Sequence, residues 1–156
     1  PAGGAFTLAA QDVEPAAYGR AGTFTIELAF LSQTPIALTL IGARASLRDP
    51  KTLDLGGGIS TTEVDSVLYP AYVAELQAYV NADCAALNLP PACGCASGST
   101  GQLVVMQYDK NQNCFITKDE LQANAAFSSL LAPDVTIEGQ KALSLGVQLA
   151  IEPASF

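Results

Sequence analysis

Apolar residues recur with period two at both ends of this 156-residue chain and with a helical period in the middle, and few folds accommodate that order. In residues 23–31, Phe24, Ile26, Leu28 and Phe30 alternate with Thr25, Glu27 and Ala29, the pattern of a half-buried β-strand. Residues 36–48 follow the Thr34-Pro35 turn, with Ile41, Ala43, Ala45 and Leu47 on one face and Gly42, Arg44, Ser46 and Arg48 on the other, up to Asp49-Pro50. The two runs predict an antiparallel hairpin. Residues 6–10 and 53–55 predict shorter strands, and Gly56, Gly57 and Gly58 predict a break in regular structure. Residues 134–137 and 142–151 return to strand, the latter with Leu143, Leu145, Val147, Leu149 and Ile151 on one face before Pro153. A lone strand buries nothing, so the last one must pair with the early hairpin.

Between the strands the period changes. Ser60-Thr61-Thr62-Glu63 has the form of a helical capping box, with Ile59 and Val64 placed for a hydrophobic staple. A helix is predicted to about Tyr69, where Pro70 must stop it, kink it or start another. Over residues 71–87, Val73, Leu76, Val80, Cys84 and Leu87 share one helical face; Tyr69, Tyr72 and Tyr79 flank it and read as core-edge packing rather than a ligand platform. Pro90-Pro91 ends this helix, and residues 92–101 form a small-residue loop. The resulting fold class is α+β: an antiparallel β-sheet or sandwich from residues 1–59 and 133–156, carrying a helical, disulfide-bearing insertion over 60–132, in a single domain.

Charge narrows the partners. The chain carries net charge −8, and residues 61–138 alone hold nine acids against two bases. Such a surface repels phosphate backbones and anionic lipid, so neither nucleic acid nor a membrane surface is an expected partner. No apolar run is long enough to predict a transmembrane segment. The opening residues PAGGAF lack the basic and apolar regions of a signal peptide, so an exported protein would be in mature or trimmed form.

All four cysteines, Cys84, Cys93, Cys95 and Cys114, fall in the acidic middle segment. Cys93 and Cys95 are too close to pair comfortably, so each is expected to bridge to Cys84 or to Cys114. A zinc cluster would want wider C-x₂₋₄-C spacings, often with histidine, and the chain has none. Disulfides imply an oxidising compartment, hence a secreted, extracellular or cell-envelope location.

Residues 109–120 read DKNQNCFITKDE. Asp109, Asn111 and Asn113 offer side-chain oxygens at alternate positions, Phe115 a carbonyl, Thr117 a hydroxyl acting through water, and Glu120 a carboxylate closing the run. A hard cation such as Ca²⁺ takes about six to eight oxygens, and this spacing supplies them. The pattern D-K-N-x-N-x-x-I-T-x-x-E-L resembles the EF-hand family over about residues 101–131, and the resemblance implies helices on both sides, Ile116 packed behind the loop, and one bound calcium. Residues 103–108, apolar enough for strand or helix, are on that basis predicted helical, and Thr117-Lys118-Asp119-Glu120 is a second capping box opening a helix to about Leu131. The chain departs from the family at the sixth position, where Cys114 replaces the usual glycine. A left-handed backbone there costs about 1–2 kcal/mol, which a disulfide from Cys114 would offset. With only Asp109 and Glu120 bringing formal charge, the expected dissociation constant is on the order of 10⁻⁴–10⁻³ M. A metal-free, Asn-rich turn accounts for Thr117 and Glu120 but not for the alternate oxygens or Ile116.

One loop, one methionine and a disulfide lock do not make a sensor, which opens a Met-rich groove. Without histidine there is no Ser-His-Asp or Cys-His mechanism, and neither G-x-S-x-G nor S-x-x-K occurs. Glu63 and Asp65 share a helix start, where acids are favoured by the dipole, and Glu27 sits on a polar strand face, so a carboxylate hydrolase is not expected. The expected function is a non-catalytic, calcium-stabilised structural or binding module at the cell surface. The alternative is a self-assembling filament or tube subunit using strand addition, with the chain itself or another cell-surface protein as partner. The segments LIGARASL, GGGIS, CGC and SLGVQLAIEPASF are also loosely similar to uncharacterised secreted, lipoprotein-like proteins of myxobacteria, a resemblance that implies location and architecture and no activity.

Overall fold

The computed structural model describes residues 22–29, 35–49, 51–84 and 93–150. The predicted strand over 6–10, Phe30, Leu87, the Pro90-Pro91 stop and Ile151 lie outside them. The element order is β1 (Gly22–Leu28), β2 (Ile36–Asp49), β3 (Thr52–Ser60), α1 (Thr61–Glu63), a wide π turn (Val64–Leu68), α2 (Tyr69–Asp83), α3 (Thr100–Tyr108), α4 (Lys118–Ala123), α5 (Ala125–Leu130), β4 (Val135–Ile137) and β5 (Gln140–Ala150). The chain forms two compact units. Of the described residues, one comprises 22–28, 37–49, 51–64 and 132–150, and the other 29, 35–36, 65–84 and 93–131.

The first unit is an antiparallel sheet in the order β1-β2-β3-β5-β4. The last long strand does return to the early ones: β5 lies against β3 from Thr52↔Ala150 to Ser60↔Ala142. Buried residues here are Phe24, Ile26, Leu38, Leu40, Leu55, Ile59, Val64 and Ala142. In β5, Leu143, Leu145, Val147 and Leu149 are half-buried while Ser144, Gly146, Gln148 and Ala150 are exposed, the predicted alternation.

Two sequence expectations for the sheet are corrected. Gly56, Gly57 and Gly58 do not break β3; they are its middle. A Cβ on Gly58 would lie 2.6 Å from Ile137 Cδ1 and 2.7 Å from the Ala142 Cβ, and one on Gly57 would lie 3.0 Å from the Leu40 Cβ. Glycine is used there because neighbouring chains approach closely, the other reason for glycine in a strand. In β2 the register slips between Ile41 and Arg44, and Gly42 takes φ +60°. This bulge reverses which parity faces inward. Leu38 and Leu40 are buried before it; after it Ala45 and Leu47, paired with Leu55 and Leu53, share their face. Ile41, read on one face with Ala45 and Leu47, therefore lies on the other, and Leu47 is 68% exposed where all of residues 44–49 are exposed.

The capping box at Ser60 is half formed. The Ser60 hydroxyl accepts from Glu63 N at 3.2 Å, but the Glu63 carboxylate turns to β2 and accepts from Thr39 N at 2.6 Å. The helical run continues past Pro70 rather than stopping. Proline has no N–H to donate, and the turn ahead of it widens to π geometry.

The second unit packs α2 on α3 and α4. Its buried residues include Leu68, Tyr69, Val80, Val104, Ile116, Leu121, Phe127, Leu131 and the cysteines Cys84, Cys93 and Cys114. Phe127 meets Tyr69, Tyr72 and Tyr108 at ring-centroid distances of 6.0, 5.2 and 5.8 Å. Burial raises the Tyr69 and Tyr72 hydroxyls above the ordinary phenol range. These two tyrosines are packing residues, as their helical spacing suggested. Gly101 is buried where α3 meets α2, and a Cβ there would lie 2.6 Å from the Tyr79 carbonyl oxygen. The helix predicted from Thr117 to Leu131 is instead broken at Asn124, which ends α4 and caps α5, its Oδ1 accepting from Phe127 N at 3.0 Å. Among the described residues no helix is long and apolar enough to cross a membrane.

Candidate metal site in a disulfide-anchored loop

Residues 109–117 connect α3 to α4, and their shape follows from polar side chains folding onto their own backbone. Asp109 Oδ1 accepts from Asn113 N at 3.1 Å and Oδ2 from Cys114 N at 2.6 Å. Asn111 Oδ1 accepts from the same Asn113 N at 3.0 Å, and Asn113 Oδ1 from Phe115 N at 2.9 Å. Short Asx side chains that bond two residues ahead curl the chain into successive tight turns. Two residues reach positive φ in doing so, Gln112 at 56° and Cys114 at 69°. Cys114 therefore has the left-handed turn that the sixth position demands, in a residue with a Cβ to accommodate.

Glu120 closes the ring from α4. Its Oε1 accepts from Lys110 N at 3.1 Å, and its Oε2 from Thr117 N at 3.0 Å and the Thr117 hydroxyl at 2.8 Å. The Thr117 hydroxyl in turn accepts from Glu120 N, completing the predicted second capping box. Asp109 and Glu120 are only 5% and 8% exposed. Neither forms an ion pair among the described residues, for Lys118 bridges Asp65 at 2.6 Å and Lys110 Nζ donates to the Ala123 carbonyl at 3.0 Å. Two buried carboxylates thus meet in one loop with N–H and O–H donors as partners and no basic side chain.

Both disulfides run to the loop's surroundings. They join Cys84 to Cys95 and Cys93 to Cys114, which is one of the two pairings that bridge the C-G-C pair outward. Cys93–Cys114 holds the left-handed residue from outside the loop. It also brings Cys93 Sγ to 3.9 Å from Asp109 Oδ2. Cys93, Asp109 and Cys114 have the spacing of a three-ligand metal cluster, but both sulfurs are spent in the disulfide. A disulfide sulfur carries no proton to donate and no thiolate charge to ligate, so Asp109 is the only ligand of the three.

Gln77 of α2 is the contact that sequence reasoning missed. Its Oε1 accepts from Ile116 N at 2.8 Å and its Nε2 donates to the Cys114 carbonyl at 3.2 Å. One side-chain amide therefore pairs with both backbone groups flanking Phe115, as a neighbouring strand would. Ile116 is buried behind the loop, as predicted, while the Phe115 ring is 52% exposed and leaves its carbonyl as the group of interest. No signal in the sequence links position 77 to a loop nearly forty residues away. Asp83 Oδ2, at the far end of α2, accepts from Gly101 N at 2.7 Å and fastens the start of α3.

The donor set suits a hard cation. Asp109, Asn111, Asn113, Thr117 and Glu120 all present oxygens, with the Phe115 carbonyl as a sixth source. An ionised carboxylate offers about four lone-pair sites. Asp109 spends two on the N–H groups of Asn113 and Cys114 and keeps capacity for a metal, whereas Glu120 accepts from Lys110 N, Asn111 N and both Thr117 donors, so a metal would have to displace some of these. Matched against protein-family models, curated proteins and solved structures, the chain resembles none of them.

Proposed function

We propose that this chain is a non-catalytic extracellular or cell-envelope module whose helical unit is stabilised by one Ca²⁺ held in the loop over residues 109–120. The supporting observation is the pair of buried carboxylates, Asp109 and Glu120, without a basic partner. Buried charge in proteins is either paired or metal-bound, because its desolvation is otherwise uncompensated. Asp109, Asn111, Asn113, the Phe115 carbonyl, Thr117 and Glu120 would hold the ion. Calcium would supply charge neutralisation and a fixed angle between α3 and α4, with no turnover. The two disulfides agree with an oxidising location.

A second reading has its own support. Thr117 donates both its N–H and its hydroxyl to Glu120 Oε2, so Glu120 already serves as a helix cap. On that reading the loop is a metal-free turn. Calcium would have to compete with these donors, which is a further reason for weak affinity.

Thermal unfolding of the oxidised protein in calcium and in chelator separates the two. At roughly ten to a hundred times the dissociation constant, binding to the native state alone adds about 1.4–2.7 kcal/mol. Asn113→Ala and Glu120→Gln should each shrink the shift. An unchanged melting curve at millimolar calcium leaves the capping-turn reading.

A further inference from the structure

We propose that the outer edge of β5, residues 144–150, pairs antiparallel with the same edge of a second copy of this chain, in register about Val147, forming a closed two-fold dimer. The inference rests on the sheet unit alone and is independent of calcium.

β5 is covered on one side along its length by β3. On the other side β4 covers only its start, through Val135↔Ala142, Thr136↔Lys141 and Ile137↔Gln140. Beyond that point no strand among the described residues lies on the outer edge. The parity of the outer groups follows from two bonds. The Ala142 carbonyl accepts from Asp134 N at 3.0 Å, and Ser144 N donates to Asp134 Oδ1 at 2.6 Å. Even-numbered residues therefore direct N–H and C=O outward, and Gly146, Gln148 and Ala150 present theirs on the edge.

Natural sheets blunt such an edge with lysine, proline or a bulge. Residues 144–150 read SLGVQLA, with no charge and no proline, and their register with β3 is unbroken. The nearest charged residue of the strand, Lys141, sits in the part that β4 already covers.

The occupant follows from self-complementarity. About Val147 the apolar positions are symmetric, Leu145 on one side and Leu149 on the other. In an antiparallel two-fold pairing centred there, Leu145 faces Leu149 of the second copy and Val147 faces Val147. Gly146 and Gln148, the residues with outward backbone groups, fall opposite each other as hydrogen-bonded pairs. A strand slipped by one residue would oppose outward-bonding residues to inward-bonding ones, so register and hydrogen-bond parity select the same alignment. No like charges meet. The half-buried pair Leu53–Leu149, aligned across β3 and β5 and continued on β2 by the exposed Leu47, gains Leu145 of the second copy as its next member. An isologous contact of this kind closes on itself and gives a dimer, not a fibre.

The test uses the full oxidised chain, in which all four native cysteines are in disulfides. Sedimentation equilibrium should show a concentration-dependent dimer and no larger species. Val147→Cys should cross-link as a covalent dimer under mild oxidation, because facing residues in a non-hydrogen-bonded pair have Cα atoms about 4.5 Å apart, within disulfide reach. Leu145→Cys alone should not, since it faces Leu149. A chain carrying Gly146→Lys and Gln148→Lys should dimerise at least tenfold more weakly, and mixing it with a chain carrying Gly146→Glu and Gln148→Glu should restore the dimer. Open space around Gly146 lets the monomer accept the side chain. A wild-type chain that stays monomeric, equal cross-linking by Leu145→Cys and Val147→Cys, or failure of the charge-swapped mixture to pair overturns the proposal. Open-ended polymers would replace it with a head-to-tail contact.

Discussion

Replacing Gln77 by methionine, which keeps length and removes both polar atoms, tests whether α2 holds the loop. Gln77 is half-buried and belongs to a helix surface, where substitutions away from special contacts fall within about 0.5 kcal/mol. Its two bonds to Ile116 N and the Cys114 carbonyl predict more. Ile116 and Cys114 are 4% and 0% exposed, so both backbone groups would lose a partner in a largely buried place. An orphaned group of this kind costs about 1–3 kcal/mol. The exposed Phe115 between them admits some water, so the lower end of that range applies to each, and the loss should be about 2 kcal/mol. Gln77→Glu keeps the acceptor for Ile116 N but sets a carboxylate oxygen against the Cys114 carbonyl, and should lose at least as much. Urea unfolding gives the energy, and amide exchange locates it: Ile116 N–H should exchange roughly 30-fold faster if opening becomes easier by about 2 kcal/mol. A Gln77→Met variant within about 0.5 kcal/mol of wild type, with Ile116 protection unchanged, would show that the loop stands without α2.

Three other perturbations bear on the same architecture. Cys93→Ala with Cys114→Ala removes a bridge spanning 21 residues and should destabilise by up to about 3 kcal/mol in chemical denaturation, less to the extent that the interleaved Cys84–Cys95 bridge already restrains that segment; a loss under about 1 kcal/mol would mean the hydrogen bonds suffice to form the turn. Gly101→Ala puts a methyl 2.6 Å from the Tyr79 carbonyl oxygen and 2.8 Å from the Asp83 Cβ, and should cost about 1–3 kcal/mol by forcing α3 off α2; an unchanged midpoint would refute the close packing. The Ser144 hydroxyl and N–H hold the Asp134 carboxyl below the usual range, so its contribution to stability is present above the unfolded value near about pH 3.9 and is lost as pH falls through the lower folded value. Ser144→Ala should return the Asp134 titration, followed by its carboxyl carbon shift, toward the ordinary range, and an unmoved curve would assign the shift elsewhere.

Local patterns in the sequence were legible where the cause was local. Thr117 and Glu120 form their capping box because both partners lie within one helical turn. Cys114 turns left-handed because Asp109 and Asn111, a few residues before it, bend the backbone through their own side chains. Where the cause is distant, the sequence misled. The glycines of β3 look like a break until Ile137 and Ala142, some eighty residues on, are seen to occupy the space a Cβ on Gly58 would need, and Leu40 of β2 that of a Cβ on Gly57. Ile41 looks like a face-mate of Ala45 and Leu47 until the bulge at Gly42 reverses the parity of β2. Glu63 reads as a cap partner, but Thr39 on a separate strand competes for its carboxylate and wins at 2.6 Å. Gln77 offers no pattern at all, since a side-chain amide on a helix has many possible partners and only the fold selects one.

The interleaving of the two disulfides also determines how the chain would carry tension. The covalent shortcut from Cys84 to Cys114 crosses one bridge to Cys95, steps back through Gly94 to Cys93, and crosses the second. A pull on both ends of the chain would therefore bypass the backbone of α3 and of the loop's first half, leaving roughly 85 Å of contour length in reserve. In single-molecule stretching that length should stay hidden until a dithiol reductant is added and then appear. A chain so bridged can have its sheet pulled apart while the backbone between Cys95 and Cys114 remains slack.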